Sequence, residues 1–168
     1  QVLNNIKLKF DNDGFIVNEN LINQNDLEAI EKWISELNDS KEVNHHYEKT
    51  VNGKVLSRTE NFVSSHTSFR EFLLSSSIKD YLTMLFDDEP ILFKEKINYK
   101  YPGGAGYAPH QDAPAYPFGK KHITMLLAID DSDISNGCLE FARGRNNEGI
   151  INIDDKGCID SLLSLIHI

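Results

Sequence analysis

The sequence has few of the features that mark several large protein classes. It has only two cysteines, Cys138 and Cys158, without CxxC spacing, too few for a disulfide framework. With so little cysteine, a reducing, cytoplasmic setting is the default expectation. Basic residues are outnumbered, with 17 Lys and Arg against 26 Asp and Glu and a net charge of −9. That balance argues against nucleic acid as a partner, because phosphate binding needs clustered cations. No apolar run is long enough to span a bilayer, and no charged-then-apolar signal segment opens the chain. Gly103-Gly104-Ala105-Gly106 is not a phosphate loop, since no Lys-Ser/Thr follows it and no helix opens there. No Ser-His-Asp or Cys-His context supports nucleophilic catalysis. What is present is ordinary for a globular domain: 168 residues, 40% hydrophobic and 26% charged.

Periodicity divides the chain into a helical first part, about 1–90, and a β-rich second part, about 91–162. Asp11-Asn12-Asp13-Gly14 reads as a turn, followed by a short buried strand, Phe15-Ile16-Val17. Asn25 and Glu28 form a capping-box pattern for an amphipathic helix over about 26–38, with Leu27, Ile30, Ile34 and Leu37 inward. Trp33 flanks that face and is expected to pack on the sheet. Residues 39–54 read as a loop or irregular hairpin, and Val55 to Val63 as containing a strand. Ser68 with Glu71, and Ser77 with Asp80, start two further helices, the second ended by Pro90. From Ile91 to Tyr101 the pattern alternates in the β sense; His122 to Asp130 and Cys138 to Ala142 predict further strands, with a turn at Asn136-Gly137. Helices first and strands second predict an α+β fold, with helices packed on a jelly-roll-like barrel.

The chemistry centres on Tyr107-Ala108-Pro109-His110-Gln111-Asp112. On an extended strand, residues two apart project to one face, so His110 and Asp112 would hold one cation between them. With a distant histidine they would make the facial triad of non-haem iron(II), which leaves three positions open. Alone, His-x-Asp is a weak motif, and a surface histidine beside a turn-forming aspartate is its plain structural reading.

Three blocks, in order, sharpen the reading: Asp13-Gly14-Phe15-Ile16-Val17; Pro109-His110-Gln111-Asp112; and Ala128-Ile129-Asp130-Asp131 with Asn136-Gly137-Cys138-Leu139 and Arg143-Gly144. In these the chain resembles the phytanoyl-CoA dioxygenase family of 2-oxoglutarate oxygenases, from about Phe10 to Gly149. Relatives usually close the third block Pro-Gly-Ser-His, where this chain has Ala142-Arg143-Gly144-Arg145. The run from Tyr99 to Asp112 is most similar to members acting on small polar molecules, aminophosphonate hydroxylases among them. The resemblance implies an incomplete double-stranded β-helix, cupin-like, over 1–162, with its first strands in about 91–162. It implies Fe(II), 2-oxoglutarate and O2, with ascorbate as a supporting reductant, and His110 and Asp112 as iron ligands and catalytic residues. It implies hydroxylation of a small-molecule substrate with decarboxylation of 2-oxoglutarate to succinate and CO2. Related halogenases replace the carboxylate ligand, so Asp112 favours hydroxylation. The third ligand and the Arg that pairs with 2-oxoglutarate would lie outside this stretch, leaving the 168-residue piece inactive by itself.

Other residues are open to two readings. Thr124 is a 2-oxoglutarate contact or an ordinary β-former; Lys96 and Asn98 are co-substrate contacts or part of a solvated face. Tyr107 and Gln111 flank the ligands as substrate-binding candidates; Gln111 alternates away from the metal and reads also as a residue supporting the ligands from behind. His45, His46 and His66 read as loop histidines, with a place at the substrate mouth as the alternative, and His122 reads as structural or exposed rather than as a ligand. Leu163 to Ile168 reads as a translated sequencing-adapter end, with a short apolar strand as the alternative, so His167 is not counted as a ligand. A catalytically silent jelly-roll scaffold is the competing functional class, and a cupin with another metal a third, although cupins favour His-x-His. No membrane partner is expected, and no oligomeric state is read from the sequence.

Overall fold

The structure is a computed structural model that describes residues 2–104, 106–116, 121–152, 154–155 and 158–159, and the backbone of 166–167. It is mixed α and β, and the chain divides into two compact units, Gln1–Asn18 with Ala105–Ile168, and Glu19–Gly104.

In the unit Glu19–Gly104, α2 (Gln24–Leu37) follows α1 of the other unit (Val2–Asp13) in chain order. The α2 helix starts two residues earlier than its pattern suggested. Asn23 is the cap: its side chain accepts from the Asp26 amide at 3.0 Å, and the Asp26 carboxylate accepts from the Asn23 amide at 3.2 Å. Asn-Gln-Asn-Asp-Leu-Glu contains two overlapping capping boxes. The earlier one forms, and it places the Asp26 carboxylate in the first turn, where the helix dipole favours it. Ile30 and Leu37 are buried. Trp33 meets α3 (Thr67–Leu73), not the sheet. Its ring centroid lies 5.2 Å from that of Phe69 and 6.0 Å from that of Phe72, and Phe69 in turn lies 4.7 Å from Phe62. The α3 cap is His66, whose Nδ1 accepts from the Phe69 amide at 3.2 Å, in place of the expected Ser68. The α4 helix (Ser76–Phe86) begins after Ser75 and buries Ile78 and Leu85. It ends at Asp87, in the left-handed region at φ 56°, before Pro90 can act.

The irregular hairpin is present, as β1 (Asn44–Thr50) and β2 (Gly53–Glu60), antiparallel with a bulge between His46 and Tyr47. Gly53 at φ +116° makes the tight connection. β3 (Lys96–Asn98) completes a three-stranded antiparallel sheet in the order β1-β2-β3. The strand expected over Ile91–Tyr101 thus shrinks to three residues, and Ile91 and Phe93 are exposed. Alternation specifies which face a residue occupies; forming a ladder also needs a neighbouring backbone, which β2 offers over Arg58–Glu60, with one further bond from Tyr99 N–H to Ser57 O at 2.9 Å.

Thr59 is fully buried, its hydroxyl 3.0 Å from His45 Nδ1 and 3.2 Å from the Tyr99 hydroxyl. Beside it the nearly buried Glu60 carboxylate meets Arg58 at 3.0 Å, Lys94 at 3.1 Å and His46 at 3.2 Å. Burial pushes its pKa up, but the Lys94 hydrogen bond and the charges of Arg58, Lys94 and His46 outweigh it, and the net shift is downward. His45 and His46 are therefore strand residues with structural partners, not loop histidines.

In the other unit, Asp11–Asp13 is helical, as the end of α1, and Phe15–Val17 forms no strand. The turn signal proves to be the helix stop. Gly14, at φ +82°, donates its amide to the Phe10 carbonyl at 2.8 Å. The carbonyls left over at that end are taken by a distant segment: Gly144 N–H donates to Asp13 O at 2.8 Å, and Asn146 Nδ2 to Asp11 O at 3.0 Å. Arg143 pairs with the Asp13 carboxylate and lies 5.5 Å over the Phe15 ring, which stacks on Phe141 at 4.9 Å. Hydrogen bonding from Lys9, then from Arg143, holds Asp13 below the usual carboxylate value against a burial effect of opposite sign.

Two further strand expectations are corrected. Cys138–Ala142 reduces to β4 (Glu140–Phe141), paired antiparallel with β5 (Ile166–His167). His122–Asp130 forms no strand: Ile123, Met125, Leu127 and Ile129 are more covered than His122, Thr124, Leu126 and Ala128, but no ladder joins the segment among the described residues. The described residues do not show a jelly-roll barrel. Of the tail 163–168, only the backbone of Ile166–His167 lies within them.

Two outcomes are expected. Ile30→Ala should cost about 2–5 kcal/mol in equilibrium denaturation, as for other fully buried aliphatic truncations. The folded Glu60 carboxyl titrates below its ordinary value of 4.5, so the unfolded chain takes up that proton first. Its stabilisation is complete above that value and is lost as pH falls through the depressed one. Glu60→Gln should flatten the acid limb of a stability-versus-pH curve.

Candidate metal centre

His110 and Asp112 lie on a segment without regular structure, not on the extended ribbon that the i, i+2 argument assumed. Asp112 is helical in backbone (φ −72°, ψ −34°) and leads into a 3-10 turn, Ala113–Ala115, to which Pro114 brings its fixed φ. The two side chains nevertheless converge, with His110 Nε2 3.5 Å from Asp112 Oδ1. Both are half-exposed, at 44% and 47%, rather than enclosed by barrel walls.

Hydrogen bonds settle what each donor atom has left to offer. His110 Nδ1 lies 2.7 Å from the Ala108 carbonyl oxygen. A carbonyl only accepts, so Nδ1 carries the hydrogen and the neutral ring keeps its lone pair on Nε2. Asp112 Oδ2 accepts the Thr124 hydroxyl at 2.8 Å, leaving Oδ1 toward Nε2. Two lone-pair atoms then face one another, an arrangement that needs a proton or a cation between them. Donors each about 2.1 Å from one cation stand roughly 3–4 Å apart, so the observed spacing fits a metal ion. An imidazole whose other nitrogen donates to a backbone carbonyl is the usual state of a metal-ligating histidine. Among the described residues no three His, Cys, Asp or Glu side chains form a complete metal cluster.

The other candidates divide. Thr124 belongs with the pair, but its hydroxyl is engaged by Asp112. Tyr107 is 72% exposed, with its ring 6.3 Å from that of His110. Gln111 turns its amide to backbone, donating to Gly149 O at 2.9 Å and accepting from Ile151 N–H at 2.8 Å. Lys96 and Asn98 lie in the unit Glu19–Gly104, exposed on the face of β3 opposite Ile97. His122 is exposed, its ring 6.0 Å from that of Tyr116. The Ala108 carbonyl and the 149–151 backbone escaped sequence reasoning, for a main-chain group carries no residue-type signal.

Comparison with known proteins places the chain in a family. The model of the phytanoyl-CoA dioxygenase family matches residues 10–154, and the chain belongs to that family. It is similar to a methylphosphonate hydroxylase of Gimesia maris, 39% identical over 88% of this chain and 58% of the relative. It is also similar to a 2-aminoethylphosphonate dioxygenase of an uncultured bacterium, 36% identical over 91% and 62%, and to dioxygenase lolE1 of Epichloe uncinata, 33% identical over 74% and 51%. The chain thus spans between half and two thirds of the length of these relatives. No solved structure matches it at a significant level. No helix among the described residues is long and apolar enough to cross a membrane.

The tautomer is directly measurable. At about pH 8.5, where histidines are ordinarily neutral, the 15N shifts of metal-free His110 should show a protonated Nδ1 and a bare Nε2. The opposite tautomer would remove the geometric basis of the site.

Proposed function

We propose that the full protein is an iron(II)- and 2-oxoglutarate-dependent dioxygenase that hydroxylates a small organophosphonate. The observation that carries this reading is the facing pair of lone-pair atoms, His110 Nε2 and Asp112 Oδ1, held 3.5 Å apart with the Nδ1 hydrogen already committed to Ala108. Family membership supports the metal and co-substrate, and the names of two relatives, each carrying a phosphonate, support the substrate class.

Ferrous iron with 2-oxoglutarate and O2 would supply the oxidation, converting 2-oxoglutarate to succinate and CO2 as a substrate C–H becomes C–OH. The chain's own residues provide geometry. His110 Nε2 and Asp112 Oδ1 would hold the metal, which would keep further positions for co-substrate and O2. The Thr124 hydroxyl fixes the rotation of the Asp112 carboxylate. The exposed ring of Tyr107 stands at the His110 side, where it can bound the substrate. Lys96 and Asn98 are proposed co-substrate contacts by family pattern alone. The third metal ligand, the arginine for the distal carboxylate of 2-oxoglutarate and the remaining barrel strands are proposed to come from that part of the relatives' length which this chain does not span.

The test is a succinate-release assay on the full-length protein with iron(II), ascorbate and 2-oxoglutarate, and methylphosphonate or 2-aminoethylphosphonate as substrate. Phosphorus NMR follows the hydroxylated product. Turnover should depend on substrate and on iron, and His110→Ala or Asp112→Ala should lower it by at least ~100-fold, more than loss of a group outside the ligand set. The absence of both succinate and a metal-dependent 2-oxoglutarate absorbance band would count against the dioxygenase reading. Thr124→Val should lower iron affinity by about tenfold, with Thr124→Ser restoring it, as read by calorimetric titration.

A further inference from the structure

The candidate ligands lie on irregular backbone, so no ladder holds them in place. The residue between them does. Gln111 sends its amide away from the metal side and onto a passing segment, with Nε2 donating to Gly149 O at 2.9 Å and Oε1 accepting from Ile151 N–H at 2.8 Å. One side-chain amide thus takes a carbonyl and an amide two residues apart, the pairing that a neighbouring strand would otherwise make. The chemistry is selective: a carboxylate has no hydrogen for Gly149 O, and an ammonium has no lone pair for the Ile151 amide. Gly149 sits at φ 74°, ψ −154°, backbone that glycine alone adopts without strain. A second tie lies next to the pair, where the buried Ile159 donates its amide to Pro109 O at 2.8 Å. Beside Ile159, Asp154 N–H donates to Cys158 O and Cys158 N–H to the Asp154 carboxylate, both at 2.8 Å.

We propose that Gln111 is a positioning residue, whose amide fixes the His110–Asp112 backbone so that Nε2 and Oδ1 converge on one cation. The inference rests on the reading of His110 and Asp112 as metal ligands. It takes the place of the substrate contact expected for Gln111 from the sequence, because both ends of the amide are committed to backbone.

The test uses cobalt(II) as a spectroscopic probe, added alone to the full-length protein and followed by its visible absorption bands. Wild type, His110→Ala, Gln111→Leu and Gln111→Glu are compared, with thermal melting of each. Wild type should bind and His110→Ala should not. Gln111→Leu should bind about tenfold or more weakly, with altered cobalt bands, an unchanged melting temperature and faster hydrogen exchange at the Ile151 amide. Gln111→Glu keeps the length and the acceptor but loses the donor, and should also weaken binding; it replaces Gln111→Leu under the same criterion if that variant fails to fold. Affinity within twofold of wild type, or a lowered melting temperature with unaltered cobalt bands, overturns the proposal while the ligand reading stands. Failure of wild type to bind, or equal binding by His110→Ala, brings down the ligand reading and the proposal with it.

Discussion

A single hydrogen decides the chemistry open to this chain. Because His110 Nδ1–H is held by the Ala108 carbonyl at 2.7 Å, the ring presents a bare Nε2 to a carboxylate that is itself rotated into place by the Thr124 hydroxyl. Neutral imidazole beside carboxylate is electrostatically unfavourable unless positive charge enters, as a proton or as a bound cation. The bond to Ala108 thus does more than orient a ring. It selects which kind of partner the pair can accept, and it does so from within the same short segment that carries both donors.

That segment is held by contacts distant in sequence, and the same is true of the family blocks around it. The Asp-Gly-Phe block and the Asn-Gly-Cys-Leu to Arg-Gly block read as separate signatures along the chain, yet they fold into one junction. Phe15 stacks on Phe141, Arg143 pairs with Asp13, and Gly144 and Asn146 occupy carbonyls at the end of α1. The departure at Ala142-Arg143-Gly144-Arg145 from the usual Pro-Gly-Ser-His close falls within this junction. Its arginine acts there as a structural cation, distant in role from the chemistry.

The parts of the fold legible in sequence were those decided locally. α2, α3 and α4 follow from 3.6-residue periodicity and capping residues, and the buried Ile30 and Leu37 of α2 were readable. Their caps were each misplaced by two residues; Asn-Gln-Asn-Asp-Leu-Glu and His-Thr-Ser-Phe each offer more than one side chain able to accept a first-turn amide. β structure was over-read wherever alternation stood in for pairing. His122–Asp130 keeps its two-sided burial without a partner strand among the described residues, since a side-chain pattern records exposure and says nothing of what lies beside the backbone. The His110–Asp112 pair was legible as a motif, but the two side chains converge from irregular backbone, not through strand geometry. The Gln111 contacts span 38 and 40 residues, a separation at which no local pattern signals a partner.

Gly14 carries a consequence for how this sequence can vary. A Cβ there would fall 2.7 Å from the Asn146 side-chain oxygen, while that same asparagine holds the Asp11 carbonyl through its amide nitrogen. Even a smaller residue at 146, which would make room, leaves φ +82° penalising any side chain at 14. The two sites are therefore unequal partners in divergence: asparagine can be exchanged because Asn147 Nδ2 also donates to the Asp11 carbonyl, at 3.3 Å, whereas glycine is fixed by its own backbone whatever its neighbour becomes. Homologues should vary at the first position only after the helix has found a different way to stop.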